Sequence, residues 1–336
     1  SRAEQSRAEQ SRAEQSRAGD VDLLRAIGII LMIMGHVWFG YIFDKWIHGF
    51  HMPLWFIISG FFLNTKRNPK AYLKRKAKTL LVPYFFFGIC NELIWTIAGH
   101  NQWAGLIWPN SIEIPLNGAL WFLPAMFLVD IIGMLLFKYF NEIVADLILL
   151  FLAIFGSLHL ISLPLSIDSA FVGCGFFLIG KIIREYGKNL LNMKILLSIC
   201  LMLLASAFII MNGYVNVRIN EYAIIPLFWF NAVLFTVALW NICRWIDIKF
   251  HQIKMPWLNK GLIILKEIGS DSLIYVCTNQ FILFFLKRLP IPGNNMIVTI
   301  IGHLAEVVII VAVCFMANRI IKKTPLKFIL GITISN

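Results

Sequence analysis

Apolar residues in this chain are gathered into ten runs: 21–40, 50–64, 80–98, 119–138, 143–160, 169–186, 194–212, 222–245, 270–288 and 297–320. Most are about as long as the ~20 residues that a helix needs to cross a bilayer, so the pattern predicts an all-α, polytopic bundle of about ten transmembrane helices. The second run is short and is expected to tilt or to lie partly within the bundle. Residues 20–331 form the membrane domain on this reading, and 332–336 a tail.

Residues 1–19 are of another kind, SRAEQ repeated and broken off, with no core-forming side chain. Such a tract is expected to be disordered and to stand outside the fold. A five-base DNA unit returns to frame after fifteen bases, and AGCAG read as AGC AGA GCA GAG CAG encodes Ser-Arg-Ala-Glu-Gln. The repeat therefore predicts a slipping pentanucleotide tract and a phase-variable gene, as in bacterial surface-modifying loci. A synthetic linker or an ordinary fifteen-base repeat would encode the same peptide.

Composition narrows the class. Of 336 residues 59% are hydrophobic and 14% charged, with mean hydropathy +0.76. Soluble domains hold about 45–50% apolar and about 25% charged residues, so a soluble enzyme and a disordered chain are both excluded. A net charge of +12 would point to nucleic acid in a soluble protein. Here the cations lie between the apolar runs and not on one face, so membrane lipid is the expected partner and nucleic acid is not.

Twenty-one Lys and Arg fall in the loops of one side, against Lys45, Arg218, Lys287 and Arg288 on the other. The five at the N-terminus join the rich side, which predicts an even number of spans and both termini cytoplasmic. Segment 99–118 has no Lys or Arg but has Trp103 and Trp108, and reads as an outer loop at the headgroup level. Segment 66–79, basic with Tyr72 and Leu73 interleaved, reads as an interfacial amphipathic helix for anionic lipid or for the phosphates of a cytoplasmic cofactor. Six scattered cysteines without a CxxC pair predict neither a disulfide framework nor a metal site.

Ionisable groups inside spans are costly and stand out as functional candidates. The first span carries Asp22, Arg25 and His36. Asp22 and Arg25 are three apart and can pair; Arg25 and His36 are eleven apart, close to three helical turns and roughly 16 Å along one face. His36 suits a general base at neutral pH. His51 opens the second span, and His48 before it reads as interfacial. Glu92 and Asp130 are placed to orient a histidine or bind a sugar hydroxyl, while His303 and Glu306 read as a structural pair and Asn279 and Gln280 as polar glue between helices. Ser59 reads as a helix-packing serine, and no GxSxG, P-loop, HExxH or GxGxxG motif is present.

Taken in order, these segments resemble the acyltransferase-3 family of bacterial integral membrane acyltransferases. DVDLLRAIGIILMIMGH resembles its opening signature and FHMPLWFIISGFFL its second-span motif. YLKRKAKTLLVPY resembles its basic segment, NGALWFLPAMFL its fourth-span motif and SIDSAFVGCGFFLIGKIIR its sixth-span glycine segment, with IGSDSLIYV and PLKFILG near the end. The resemblance covers residues 20–331 and departs at Arg75 and Lys78, where two arginines are common, and at Thr278 and Asn279, where many members carry a histidine.

The resemblance implies transfer of an acyl group, usually acetyl from cytoplasmic acetyl-CoA, to a carbohydrate hydroxyl of an envelope glycan such as lipopolysaccharide or capsule, or to its lipid-linked precursor, with no metal. On this reading His36 is the base, and Asp22 and Arg25 position it or the thioester. Arg75, Lys76 and Lys78 receive the CoA phosphates, and His51, Trp121, Glu92 and Asp130 shape the acceptor site. The chain is expected to act without an appended soluble domain, on a glycan directly or with glycan-assembly proteins. A transporter of polysaccharide intermediates would use the same bundle without acyl chemistry; no internal inverted repeat supports that alternative.

Overall fold

The computed structural model describes residues 2–112, 115–187, 189–252, 255–289 and 295–330, with side-chain environments from residue 19 onward. Thirteen α-helices account for most of it: α1 (Arg2–Val37), α2 (Tyr41–His48), α3 (His51–Phe61), α4 (Pro69–Lys76), α5 (Val82–Ile97), α6 (Phe122–Tyr139), α7 (Glu142–Ser157), α8 (Ile167–Tyr186), α9 (Ile195–Asn212), α10 (Ile225–Gln252), α11 (Pro256–Ser270), α12 (Ser272–Leu286) and α13 (Met296–Lys322). Between α9 and α10 a small antiparallel hairpin pairs β1 (Val215–Asn216) with β2 (Glu221–Tyr222).

All ten apolar runs are helical, but fewer helices are long and apolar enough to cross a membrane alone. Six are: 69–97, 122–139, 164–186, 195–212, 225–250 and 296–322, with α11 and α12, bent by 84°, forming a seventh if they are one span. The others fall short for a physical reason. α3 has 11 residues, eight of them buried by protein, so it needs neither bilayer length nor a lipid-facing surface. By contrast α7 and the two spans α9 and α13 leave large apolar side chains such as Leu147, Phe151, Leu196, Leu203, Ile301 and Val308 exposed, the surface expected of helices that face lipid. The chain is a multi-pass membrane protein.

The core lies where α1, α3, α8 and α10 meet, around Phe50, Phe56, Phe176, Phe177, Phe235 and Trp240. Here α3 and α8 touch backbone to backbone: a Cβ on Gly60 would strike the Phe177 carbonyl, and one on Gly180 the Ile57 carbonyl. Because neither carbonyl can yield, Gly180→Leu is expected to cost about 3 kcal/mol or more. The check is the fraction of protein that elutes as one species in detergent, which should fall sharply against a Leu substitution at Gly261, where a Cβ meets open space.

The basic segment differs from expectation, and the outer loop is more buried than its composition suggests. Residues 69–97 form one helical stretch, capped by Asn68 accepting from Lys70 and Ala71 N–H, with a π turn at Ala77–Leu81. Pro83 lacks the N–H that would bond back to residue 79, and the π turn just before it absorbs the mismatch. The basic residues are thus the first turns of a span and not a separate surface helix.

The described residues of loop 99–121 fold partly inward, with Leu106, Leu116 and Asn117 buried while Trp103 and Trp108 stay exposed. Tyr84 Oη donates to the Leu106 carbonyl at 2.6 Å, and Asn91 Nδ2 to the Leu116 carbonyl and Asn117 Oδ1 at 3.0 and 2.7 Å. Asn117 Nδ2 reaches Glu92 Oε1 at 3.3 Å. A loop with buried polar backbone needs such partners, and periodicity does not reveal them. α11 was unanticipated; it starts at Pro256 and packs on α1, with Gly269 against the Asp22 carbonyl.

Candidate functional site

α1 carries a cavity at each end of its segment from Arg25 to His36, and these two residues are roughly 16 Å apart along the axis. The cavity at the His36 end has a volume of about 440 Å³. It collects His36 from α1, Asp44 and His48 from α2, His51 and Trp55 from the first turns of α3, Trp121 from the end of the inward loop, Arg218 from the hairpin turn and Gln280 from α12. Gln280 Oε1 accepts the Ala119 N–H at 3.0 Å and so ties α12 to the loop that presents Trp121.

The tautomer of His36 follows from its neighbour. His36 Nδ1 lies 2.8 Å from Asn279 Oδ1. The Asn279 amide nitrogen donates to the carbonyls of Tyr275 and Val276 at 2.7 and 3.0 Å, which turns its oxygen towards the ring. An amide oxygen only accepts, so Nδ1 carries the proton and Nε2 keeps its lone pair. The same logic holds for the other two histidines. His51 Nδ1 donates to the Ile47 carbonyl at 2.7 Å, and His48 Nδ1 to the Asp44 carbonyl at 2.8 Å, with Asp44 Oδ1 at 3.3 Å. The His48 and His51 rings meet edge-on, centroids 5.1 Å apart. Three imidazoles in one cavity therefore each hold Nδ1–H on an oxygen and leave Nε2 able to accept a proton.

His48 was read from sequence as interfacial, and the short turn between α2 and α3 brings it here. Its spacing of three from His51 was the available signal. Asn279, read as helix glue, is the group that orients His36; Asp22 and Arg25 are not.

Asp22 and Arg25 line the second cavity, about 720 Å³ in volume, at the other end. Arg25 Nη1 is 3.4 Å from Asp22 Oδ1, and its guanidinium is 6.0 Å from the Phe62 ring centroid. Arg67, Arg184 and Arg244 share this cavity. Arg184 is held on the Leu63 carbonyl and Arg244 on the Leu191 carbonyl at 3.0 Å, so parts of these side chains are fixed in place. Four guanidinium groups thus line one cavity, together with the carboxylates of Asp20 and Asp22, and guanidinium is a group that can grip phosphate oxygens bidentately.

The remaining predicted site residues are placed elsewhere. Lys76 Nζ is 2.5 Å from Asp130 Oδ2, and Ser59 Oγ also bonds Asp130, whose side chain is fully buried. Arg75 lies over the Tyr72 ring at 5.6 Å, and Lys78 borders an apolar groove with Leu81 and Phe85. None of the three lines the arginine cavity. Glu92 is fully buried beneath the inward loop and does not line the histidine cavity. His303 Nδ1 and Glu306 Oε2 are 3.0 Å apart, as their spacing predicts. Among the described residues no three His, Cys, Asp or Glu side chains converge to hold a metal ion.

The family model described as an acyltransferase domain, that of the acyltransferase-3 family, matches residues 19–319. Neither a curated protein nor a solved structure matches the chain.

Proposed function

The chain belongs to the acyltransferase-3 family, and from that premise we propose that it is an O-acyltransferase moving acetyl from cytoplasmic acetyl-CoA to a carbohydrate hydroxyl of a bacterial envelope glycan. The observation that carries this reading is the pair of cavities on α1, four arginines at one end and an Nε2-free histidine at the other. The excess of Lys and Arg in the loops of the Arg25 end supports a cytoplasmic position for that end, both termini included.

In this mechanism the CoA phosphates sit among Arg25, Arg67, Arg184 and Arg244, and the pantetheine arm extends beside α1 towards His36. The sugar ring sits beside Trp55 and Trp121, which line the cavity with His51 and His48. His36 Nε2 takes the proton of the acceptor hydroxyl as its oxygen attacks the thioester carbonyl carbon. The tetrahedral adduct collapses with rupture of the C–S bond, and the CoA thiolate takes the proton back from the imidazolium. Asn279 Oδ1 holds Nδ1–H throughout and stabilises the cation that forms. The repeat at residues 1–18 supports a switchable surface antigen as the acceptor.

The test uses protein in lipid nanodiscs with radiolabelled acetyl-CoA and envelope glycan. Label should pass to glycan. A charge-assisted hydrogen bond contributes about 1.5–3 kcal/mol. Arg67→Ala should therefore raise the KM for acetyl-CoA about tenfold, and Arg67→Ala with Arg244→Ala about a hundredfold. An unchanged KM in both variants would remove the donor from this cavity, and absence of label in glycan would remove the acetyltransferase reading.

A further inference from the structure

The histidine cavity has a charge of its own that general acyl transfer does not require. Arg218 and Lys287 stand on its wall, and Asp44, the carboxylate on the same wall, lies against His48. Among the described residues no carboxylate lies within ion-pair distance of either cation. Two cations against one carboxylate leave the wall with net positive charge.

Arg218 is also held in place. It sits in the turn between β1 and β2, preceded by the buried Val215 and Val217. Its N–H donates to Asn216 Oδ1 at 3.1 Å, and its carbonyl accepts from Ser169 Oγ at 3.0 Å. Ser169 in turn takes a bond from Asn110 Nδ2 at 3.2 Å; Asn110 is bonded to Asp168, and Ser166 Oγ donates to Asn110 Oδ1 at 2.7 Å. All four of these side chains are buried. The network clamps the hairpin turn onto the N-terminal end of α8, so the guanidinium starts from a fixed backbone. Lys287 follows α12, whose Asn279 orients His36, and its N–H is bonded to the Leu283 carbonyl at 2.9 Å. Cations thus border the cavity from two elements, beside the tryptophans and the base.

We propose that the acceptor is anionic: a glycan unit whose carboxylate or phosphate lies near the hydroxyl that is acylated, received by Arg218 and Lys287. This rests on the acyltransferase reading above. A planar guanidinium grips either anion, and in a cavity partly shielded from water that contact selects against neutral sugars.

The experiment uses native envelope glycan, the same glycan with its carboxylates reduced, and the same glycan dephosphorylated. Labelling of native glycan first establishes the acyltransferase itself; its absence overturns that reading and this proposal together. Given labelling, kcat/KM should drop tenfold or more on one of the two treated glycans, and that one names the anion. Arg218→Gln should lower kcat/KM on native glycan to the level of the treated one, mainly through KM, while Arg218→Lys keeps most of it. Equal labelling of all three glycans overturns the proposal. So does an Arg218→Gln variant that loses the same factor on native and treated glycan, because that is the signature of a hairpin role and not of charge.

Discussion

His36→Ala is expected to lower kcat for glycan acetylation by about 10²–10⁴-fold, the range that a positioned general base supplies. The arginine cavity proposed for the donor is roughly 16 Å away along α1, so binding of acetyl-CoA should change little. Calorimetric titration with a non-hydrolysable CoA analogue, beside the label assay, separates the two. Asn279→Ala should reproduce part of the loss, about tenfold or more, because the ring loses the acceptor that fixes its Nδ1 proton and can adopt the wrong tautomer. His36→Ala at full rate would end the catalytic assignment. The search would then move to His51, whose Nδ1 is also held and whose Nε2 is also left as an acceptor.

Lys76 and Asp130 give the second large effect. Asp130 is fully buried, and Lys76 and Ser59 reach it from α4 and α3. Removing one partner leaves an uncompensated charge in the bundle, so Lys76→Met alone is expected to cost about 3–5 kcal/mol. Replacing both, as Lys76→Met with Asp130→Leu, should recover most of the stability, since paired apolar side chains of similar volume often match a buried ion pair. Thermal unfolding in detergent gives the stability of each variant. The double variant also decides between roles. If Lys76 held CoA phosphate and Asp130 held sugar, it would fold but fail to transfer acetyl. If the pair ties α3, α4 and α6 together, the double variant transfers at close to the wild-type rate.

The two results bear on how much of the site the chain discloses. Arg25 and His36 stood out because charge and imidazole inside an apolar run are expensive, and one helix sets their separation. Trp121 and His51 were named for the acceptor site and line the cavity with His36. Asp130 was chosen for the same expense and Lys76 as a phosphate ligand of the basic segment, yet the two pair with each other, across 54 residues of sequence. Arg67, Arg184 and Arg244 were passed over as ordinary loop cations, because nothing local marks one arginine before α4, one in α8 and one in α10 as neighbours. Arg218 was counted only as one of four cations on the poor side.

The sequence by itself determined the solvent of this protein, the ten helical segments and the family, and it picked out the helix whose residues line both cavities. Those properties follow from local composition, from run length against bilayer thickness and from motif order, all of which are read along the chain. Tertiary structure decided that α3 is enclosed while α13 faces lipid, that loop 99–121 turns partly inward, and that Asn279, not Asp22, orients His36. It also decided which cations share a cavity and which are already paired. These are partnerships between distant segments, and each depends on how helices of similar hydropathy cross. Where Gly60 and Gly180 let α3 and α8 approach backbone to backbone, the crossing sets which side chains meet.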